Sequence, residues 1–248
     1  MRLKYFCLVL LIVTFKSPAT AQQLRVAVAA NLQGVIKALQ ADFKQRTGIS
    51  AEVVTGSSGT LVAQINNGAP YDVFLSADMQ FADALFKNGM ATAQPRVYAS
   101  GSLIICSTLH QSLKNWQKLL LSSQTKNIAI ANPATAPYGK AAEEALSKAG
   151  VLDKVKSKIV YGESISQVNT YINTGVADIA FTSQSFVKDV PASLKLYWQQ
   201  VPKKAYAPIE QGMVLLKRAQ GNEAAKKFYQ YILSSGAKRI FKKYGYNV

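Results

Sequence analysis

The sequence predicts an α/β fold of two lobes, each built on a mainly parallel sheet flanked by helices. Short apolar runs alternate with segments of helical period, and small or polar residues stand at the junctions between them. The same alternation opens again at Ser102 with no low-complexity linker and no internal repeat, as expected of two lobes joined by strands that cross between them. A chain of 248 residues, 49% hydrophobic and 17% charged, is long enough for one large domain or two ordinary ones. That composition excludes a disordered tail, a collagen-like fibre and a disulfide-stapled miniprotein.

The first 21 residues stand apart from the fold. Arg2 and Lys4 make a basic start, Tyr5 to Phe15 is an almost unbroken apolar run, and Ala19-Thr20-Ala21 offers small residues for cleavage. These are the three parts of a secretory signal peptide, with cleavage expected near Ala21, before Gln22. The run is too short to span roughly 30 Å of hydrocarbon. Cys7 lies inside the apolar run, away from a small-residue site, so a lipid-modified cysteine is not expected. Loss of Arg2, Lys4 and Lys16 lowers the formal charge from +16 to +13, and only Cys106 remains, which closes no intrachain disulfide. No later apolar stretch approaches a spanning length, so the exported chain is expected to be soluble.

Each element has its own signal. Leu24 to Ala29 is a buried strand; after Asn31, the residues Val35, Ile36, Leu39 and Phe43 recur at helical spacing until Gly48. Ala51 to Val54 is a second strand, ended by Thr55-Gly56-Ser57-Ser58-Gly59, and a helix through Leu61 and Ile65 follows to Gly68. Tyr71 to Ser76 is a third strand, with Asp78 as cap of a helix through Phe86. Strand, turn and helix thus alternate three times within about 65 residues.

Ser102 to Cys106 opens the second stretch. Ile128 to Ala131 is a strand, Asn132-Pro133 a break, and Gly139 to Lys148 a helix ended by Gly150. Val160-Tyr161 leads through Glu163-Ser164-Ile165-Ser166 into a helix reaching Asn173, and Ala177 to Thr182 is another strand. The chain then reads as loop through Pro191, Pro202 and Pro208 before a last strand, Met213 to Leu216. Two amphipathic helices close it, the first burying Phe228, Tyr231 and Ile232, the second Ile240, Phe241 and Tyr244.

Four strand-to-helix junctions share one chemistry: Ala30-Asn31, Gly56-Ser57-Ser58-Gly59, Asn132 through Tyr138-Gly139, and Glu163 to Ser166. Each places unpaired backbone N–H groups at a helix start, where the macrodipole favours negative charge. Ser and Asn at such positions also serve as ordinary caps. What joins these four is their place at the carboxyl ends of α/β strands, where such folds bind ligands. The Gly-Ser-Ser-Gly turn is no P-loop, because no Lys-Ser/Thr pair follows. Asp72 and Asp78 are explained by turn formation and capping, and His110 by a solvated loop. Glu163 fits a cap; turned inward it would repel an anion. Lys226-Lys227, Lys238-Arg239 and Lys242-Lys243 lie on helix surfaces as solvated charge. The excess positive charge suits the attraction of anions, of an anionic membrane surface or of acidic polymers. No motif accompanies it, so nucleic acid is not an expected partner.

At these same residues the chain resembles the periplasmic molybdate-binding proteins of bacterial ABC importers, the ModA family. The similar segments are Ala-Ala-Asn at 29–31, Thr47-Gly48, Gly-Ser-Ser-Gly at 56–59, Gly-Ala-Pro-Tyr-Asp-Val-Phe-Leu-Ser-Ala-Asp at 68–78, Asn-Pro at 132–133, Ala-Pro-Tyr-Gly at 136–139 and Phe-Lys-Lys-Tyr-Gly-Tyr at 241–246. The resemblance implies a type II periplasmic binding protein fold closing on one tetrahedral oxyanion. Residues 22–99 with 207–248 would form one lobe and 100–206 the other. It places the family's side-chain donors at Asn31 and Ser58 and its backbone donors at Tyr138 and Ile165, with Ala30, Ser57 and Phe181 as further wall. Where many members carry a tyrosine hydroxyl, this chain matches with Phe181, which has no donor. Any metal is then bound only as the oxyanion, and no cofactor is implied.

The expected function is that of a monomeric periplasmic receptor delivering molybdate or tungstate to the membrane permease of an ABC importer. Sulfate is the alternative oxyanion. An exported enzyme acting on phosphate or sulfate esters would need a nucleophile, metal or acid–base pair, which His110, Cys106 and scattered carboxylates do not assemble. A basic surface-adhesion protein is the third class, with salt-sensitive binding to acidic polymers and no saturable small-ligand site.

Overall fold

The computed structural model describes residues 23–248. The leader, with Cys7 and the expected cleavage near Ala21, lies outside the described residues. Two five-stranded sheets organise the remainder. The first contains β1 (Leu24–Ala29), β2 (Ala51–Gly56), β3 (Val73–Leu75), β4 (Arg96–Gly101) and β10 (Ile209–Leu215), in the order β2-β1-β3-β10-β4. The second contains β5 (Leu103–Ser107), β6 (Ile128–Ala131), β7 (Ile159–Gly162), β8 (Ile179–Ser183) and β9 (Tyr197–Gln200), in the order β7-β6-β8-β5-β9. In the first sheet β2, β1 and β3 pair in parallel, while β10 is antiparallel to both β3 and β4. In the second, β7, β6 and β8 are parallel and β5 is antiparallel to both β8 and β9. Each sheet is therefore mixed, with four strands running one way and one reversed.

The reversed strands link the lobes. The chain leaves β4 of the first sheet and enters the second as its reversed strand β5; it leaves β9 and returns to the first as β10. Each sheet thus takes its reversed strand next to a crossing, and the two sheets repeat one strand order without any repeat in sequence.

The helices are α1 (Gln33–Thr47), α2 (Ser58–Asn66), α3 (Met79–Lys87), α4 (Trp116–Leu121), α5 (Pro137–Lys148), α6 (Leu152–Val155), α7 (Ile165–Asn173), α8 (Glu223–Ile232) and α9 (Ser235–Lys243). Alternation along β1 decides what each face meets. Leu24, Val26 and Val28 pack with Val35, Leu39 and Phe43 of α1 and with Phe228, Ile232 and Phe241 of α8 and α9. Ala27 points the other way, into a cluster with Leu61 and Ile65 of α2 and Leu85 of α3. Burial on both faces accounts for the apolar runs at residues 26–29 of β1 and Ile128–Ala131 of β6. The second sheet has its own core, into which Ala29 at the end of β1, and Ala30 and Ala77 just beyond β1 and β3, also pack.

The short helices α4 and α6 lie where the sequence reading placed no element, and three strands differ from it as well. β4 and β9 form inside stretches without a strand signal, because both are edge strands whose outward residues Val97 and Trp198 stay exposed. The last strand begins at Ile209, four residues earlier than expected, and takes in Glu210 and Gln211 across a β-bulge between Gln211 and Gly212.

Candidate functional site

The carboxyl ends of β1, β2, β6 and β7 turn into helices at the boundary between the lobes. Ala30–Leu32 form a single 3-10 turn before α1, Ser57 caps α2, Ala136 precedes α5 and Ser164 precedes α7. Ser57 Oγ accepts the Thr60 N–H at 3.2 Å, so this serine is a working cap. Ser58 and Ile165 are then first helical residues and Tyr138 a second one, positions whose N–H groups have no intrahelical acceptor.

These starts converge. Ala29, Ala30, Asn31, Ser57, Ser58 and Ala77 from one side and Ala136, Pro137, Tyr138 and Ile165 from the other line a single small cavity. Among the described residues lining it there is no Lys, Arg, Asp or Glu. The four residues matched to family donors, Asn31, Ser58, Tyr138 and Ile165, are all buried in its wall, with Ala30 and Ser57 beside them. Phe181 is the correction: it is not in the lining. Its ring lies edge-on to Trp116, centroids 5.6 Å apart, inside the core of the second sheet. A larger surface groove over α5, lined by Glu143, Glu144, Ser147 and Lys148, carries none of these residues.

Hydrogen bonds fix the side chains of the wall. Ser58 Oγ accepts the Ala77 N–H at 3.0 Å. One amide atom of Asn31 lies 3.0 Å from the Gln211 amide and 3.1 Å from Tyr246 Oη; its other amide atom has no protein partner. Beneath it lies a buried polar layer. Tyr98 Oη contacts the Ser76 carbonyl oxygen at 2.8 Å and Gln211 at 2.9 Å, and Ser185 Oγ donates to the Asn31 carbonyl at 2.7 Å. Tyr138 Oη stands 3.5 Å from Gln211, in space that a β-carbon at Gly101 would occupy. Burial holds the hydroxyls of Tyr98, Tyr138 and Tyr246 well above the ordinary tyrosine range, so all three are neutral donors at physiological pH.

The lobes meet around the cavity. Gly59 N donates to Thr135 O at 2.9 Å, Ser166 Oγ to Gln33 Oε1, and Lys140 Nζ to Gln80 Oε1 at 3.4 Å. The cleft is closed.

The other singled-out groups lie elsewhere. Asp78 caps α3 through Phe81 N at 3.0 Å, and Asp72 accepts the Arg25 main-chain N–H at 2.8 Å. Glu163 is exposed, and His110 sits in the turn after β5, its N–H bonded to Ser107 Oγ at 3.0 Å. Burial pushes the Cys106 thiol up to about 12, which removes it as a nucleophile. Among the described residues, no three His, Cys, Asp or Glu side chains come together in a metal-holding group. No described helix is long and apolar enough to cross a membrane. Sequence reasoning missed Gln211, Tyr98 and Ser185, and met Tyr246 only within the closing segment 241–246.

A cavity built of helix starts from two α/β lobes has counterparts among known proteins. The model for bacterial extracellular solute-binding proteins matches residues 24–247. The molybdate-binding protein ModA of Azotobacter vinelandii is 37% identical, covering 93% of this chain and 92% of its own. The chain belongs to the bacterial extracellular solute-binding proteins, in the ModA family. ModA of Rhodobacter capsulatus is 36% identical over 92% of this chain and 90% of its own. The solved structure of the Azotobacter vinelandii periplasmic molybdate-binding protein superposes with a TM-score of 0.85 at 33% identity, covering 91% of this chain and 99% of that one.

Proposed function

We propose that this chain captures a tetrahedral oxyanion, molybdate with tungstate beside it, in the periplasm and delivers it to the permease of an ABC importer. The observation that carries this reading is the single cavity lined from both lobes by Asn31, Ser58, Tyr138 and Ile165 with no charged side chain. The relatives described as molybdate-binding proteins supply the ligand class.

Neutral donors suffice for a dianion. Dehydrating it is costly, but charge-assisted hydrogen bonds contribute a net ~1.5–3 kcal/mol each. The N–H groups of Ser58, Tyr138 and Ile165, the Ser58 hydroxyl and the Asn31 amide are the proposed donors, aided by the starts of α2, α5 and α7. A shell made only of donors discriminates by protonation as well as by radius. A phosphate that keeps a proton would point its hydroxyl at another donor. Phe181 has no hydroxyl and its ring lies in the core, so that position contributes no donor.

Residues 22–99 with 207–248 would move against residues 100–206 about the two crossings, β4 to β5 and β9 to β10. An anion touching both lobes stabilises the closed form, and the permease then meets a surface that the empty protein does not hold. The protein would act as a monomer, exported by a leader cleaved near Ala21, and would catalyse no reaction.

Calorimetric titration with molybdate, tungstate, sulfate and phosphate in one buffer tests this. One-to-one binding is expected for the first two, weaker binding for sulfate and none for phosphate. A protein that responds to none of the four is not an oxyanion receptor, and salt-sensitive retention on acidic polymers would then favour surface adhesion. Sustained turnover of a chromogenic phosphate or sulfate ester would instead make it an enzyme.

A further inference from the structure

The buried layer beneath the cavity cannot place its protons in the simplest way, and that conflict sets which way the Asn31 amide faces. Tyr98 Oη lies 2.8 Å from the Ser76 carbonyl oxygen and 2.9 Å from one amide atom of Gln211. The same Gln211 atom lies 3.0 Å from one amide atom of Asn31, which is 3.1 Å from Tyr246 Oη. Tyr246 Oη in turn lies 2.8 Å from the Asn31 carbonyl oxygen. Tyr98 ends on a carbonyl oxygen, and Tyr246 on the Asn31 carbonyl and on Ser185 Oγ at 3.1 Å, whose own proton goes to that carbonyl, so both ends accept and each neutral tyrosine brings one proton. With both tyrosine protons pointing outward to the carbonyls, both central amide atoms would have to be nitrogen. Two N–H donors cannot satisfy each other. One tyrosine therefore turns inward, and the two amides face each other as donor and acceptor in one of two senses.

In the first sense Tyr98 keeps the Ser76 carbonyl and Gln211 Nε2 donates to both Tyr98 Oη and Asn31 Oδ1. Tyr246 then gives its proton to Asn31 Oδ1, and Asn31 Nδ2 becomes the atom without a protein partner. In the second sense Tyr246 keeps the Asn31 carbonyl, Tyr98 donates to Gln211 Oε1, and Asn31 Oδ1 is the atom left over. Amide nitrogen and oxygen fill nearly the same space, so only the protons distinguish the two. The ends of the series are unequal. The Asn31 carbonyl has a second donor, Ser185 Oγ at 2.7 Å, and stays bonded when Tyr246 turns away. Tyr98 is the hydroxyl that holds the Ser76 carbonyl. The first sense also leaves Gln211 Oε1 facing Tyr138 Oη, a donor, at 3.5 Å.

We propose that Tyr98 and Gln211 are positioning residues that orient the Asn31 amide with its N–H groups toward the cavity, making Asn31 an oxyanion donor. The register shift opposite Gln211 and Gly212 leaves Tyr98 as the extra, unpaired residue of β4, while Gln211 faces this layer by the ordinary alternation of β10 with Ile209 and Met213. The reversed orientation would present an oxygen lone pair to the anion. This assignment rests on the oxyanion reading above.

The experiment compares two deletions of a single hydroxyl from the same layer. Tyr98→Phe releases Gln211 and lets Tyr246 impose the second sense, so molybdate binding weakens about tenfold. Tyr246→Phe removes the opposing demand, and affinity stays near that of the parent. In an Asn31→Ser background, where a freely rotating hydroxyl replaces the amide, Tyr98→Phe has no further effect. Equal losses in the two Tyr→Phe variants, no loss in Tyr98→Phe, or a loss that persists beside Asn31→Ser would each overturn the assignment. NMR of the ligand-free parent gives a second readout. Nuclear Overhauser contacts are expected from the Gln211 side-chain amide protons to the Tyr98 ring. Contacts from the Asn31 amide protons to the Tyr246 ring in their place would overturn it. Because that spectrum needs no ligand, a protein that binds no oxyanion would defeat the functional reading while this assignment is still decided.

Discussion

Ser58 Oγ accepts the main-chain N–H of Ala77 at 3.0 Å, so its hydroxyl is anchored through a lone pair and its proton is left for another acceptor. The side chain is fully buried at the cavity wall, where an oxyanion is the acceptor proposed. Ser58→Ala removes that donor and is expected to weaken molybdate binding by at least ~1 kcal/mol. It also strips Ala77 N of its acceptor, so the melting temperature of the empty protein should fall modestly. Calorimetry together with thermal unfolding separates the two effects. Unchanged affinity would remove Ser58 from the donor set.

No cationic side chain is among the described residues lining the cavity, yet the chain carries a formal +16, and +13 without its first 21 residues. Charge outside the site steers encounter, whereas a buried neutral shell governs release. Added salt should therefore slow molybdate association several-fold between low ionic strength and about 0.15 M, with little change in dissociation. Stopped-flow measurement over a salt series checks this. A dissociation rate that climbs as steeply as association falls would place unrecognised cations at the anion.

How far the sequence reaches depends on what each residue touches. β1 and β6 were legible because both faces of each strand are buried and every position but Arg25, near the start of β1, is apolar. The end of α1 was legible because Gly48 adopts φ 72° at its C-cap, a conformation that only glycine enters freely. β4 and β9 gave no signal: an edge strand is held by backbone pairing, which side-chain alternation does not record when Val97 and Trp198 face solvent. The junctions at Asn31, Ser58, Tyr138 and Ile165 could be singled out locally, since small and polar residues after a strand carry their own chemistry. The layer beneath them could not. Asn31 and Gln211 are 180 positions apart, Tyr98 and Gln211 are 113 apart, and Gln211 reads as loop because β10 starts four residues before its apolar run. Phe181 shows the opposite error, a position aligned by resemblance whose ring is taken by Trp116 instead of the cavity.

Gly59 stands where the lobes touch. A β-carbon there would lie 3.0 Å from Thr135 Cα and 3.1 Å from the Phe81 ring, while its N–H already bonds Thr135 O across the cleft. Gly59→Ala raises helix propensity in the first turn of α2 whether the protein is open or closed, and the Phe81 ring on α3 must shift by a few tenths of an ångström to admit the methyl group. Closure must push against Thr135, so ligand affinity is expected to drop by about 1–3 kcal/mol. The signature is a melting temperature close to the parent's without molybdate, and a smaller rise when molybdate is added. A ligand-induced rise equal to the parent's would show that Thr135 yields freely.

Asp78 caps α3 at the rim of the cleft, near Lys140, and its carboxyl titrates above the ordinary aspartate range. Burial is the main cause; the bonds from Phe81 N and Ser76 Oγ and the charge of Lys140 pull the other way without cancelling it. The folded protein thus holds this proton more tightly than the unfolded chain does. Ionised Asp78 therefore costs stability above its folded pKa, and that cost disappears as pH falls through it. Asp78→Asn keeps an oxygen to accept the Phe81 N–H while removing the charge. The lost attraction to Lys140 is an exposed pair and contributes little. The variant is expected to melt higher than the parent at pH 7, with the difference narrowing as pH is lowered below the carboxylate range. Thermal unfolding of both proteins across that range measures the gap directly. If the difference widened on acidification, the carboxylate would be stabilised in the fold and its role at the rim would be that of an ion-pair partner.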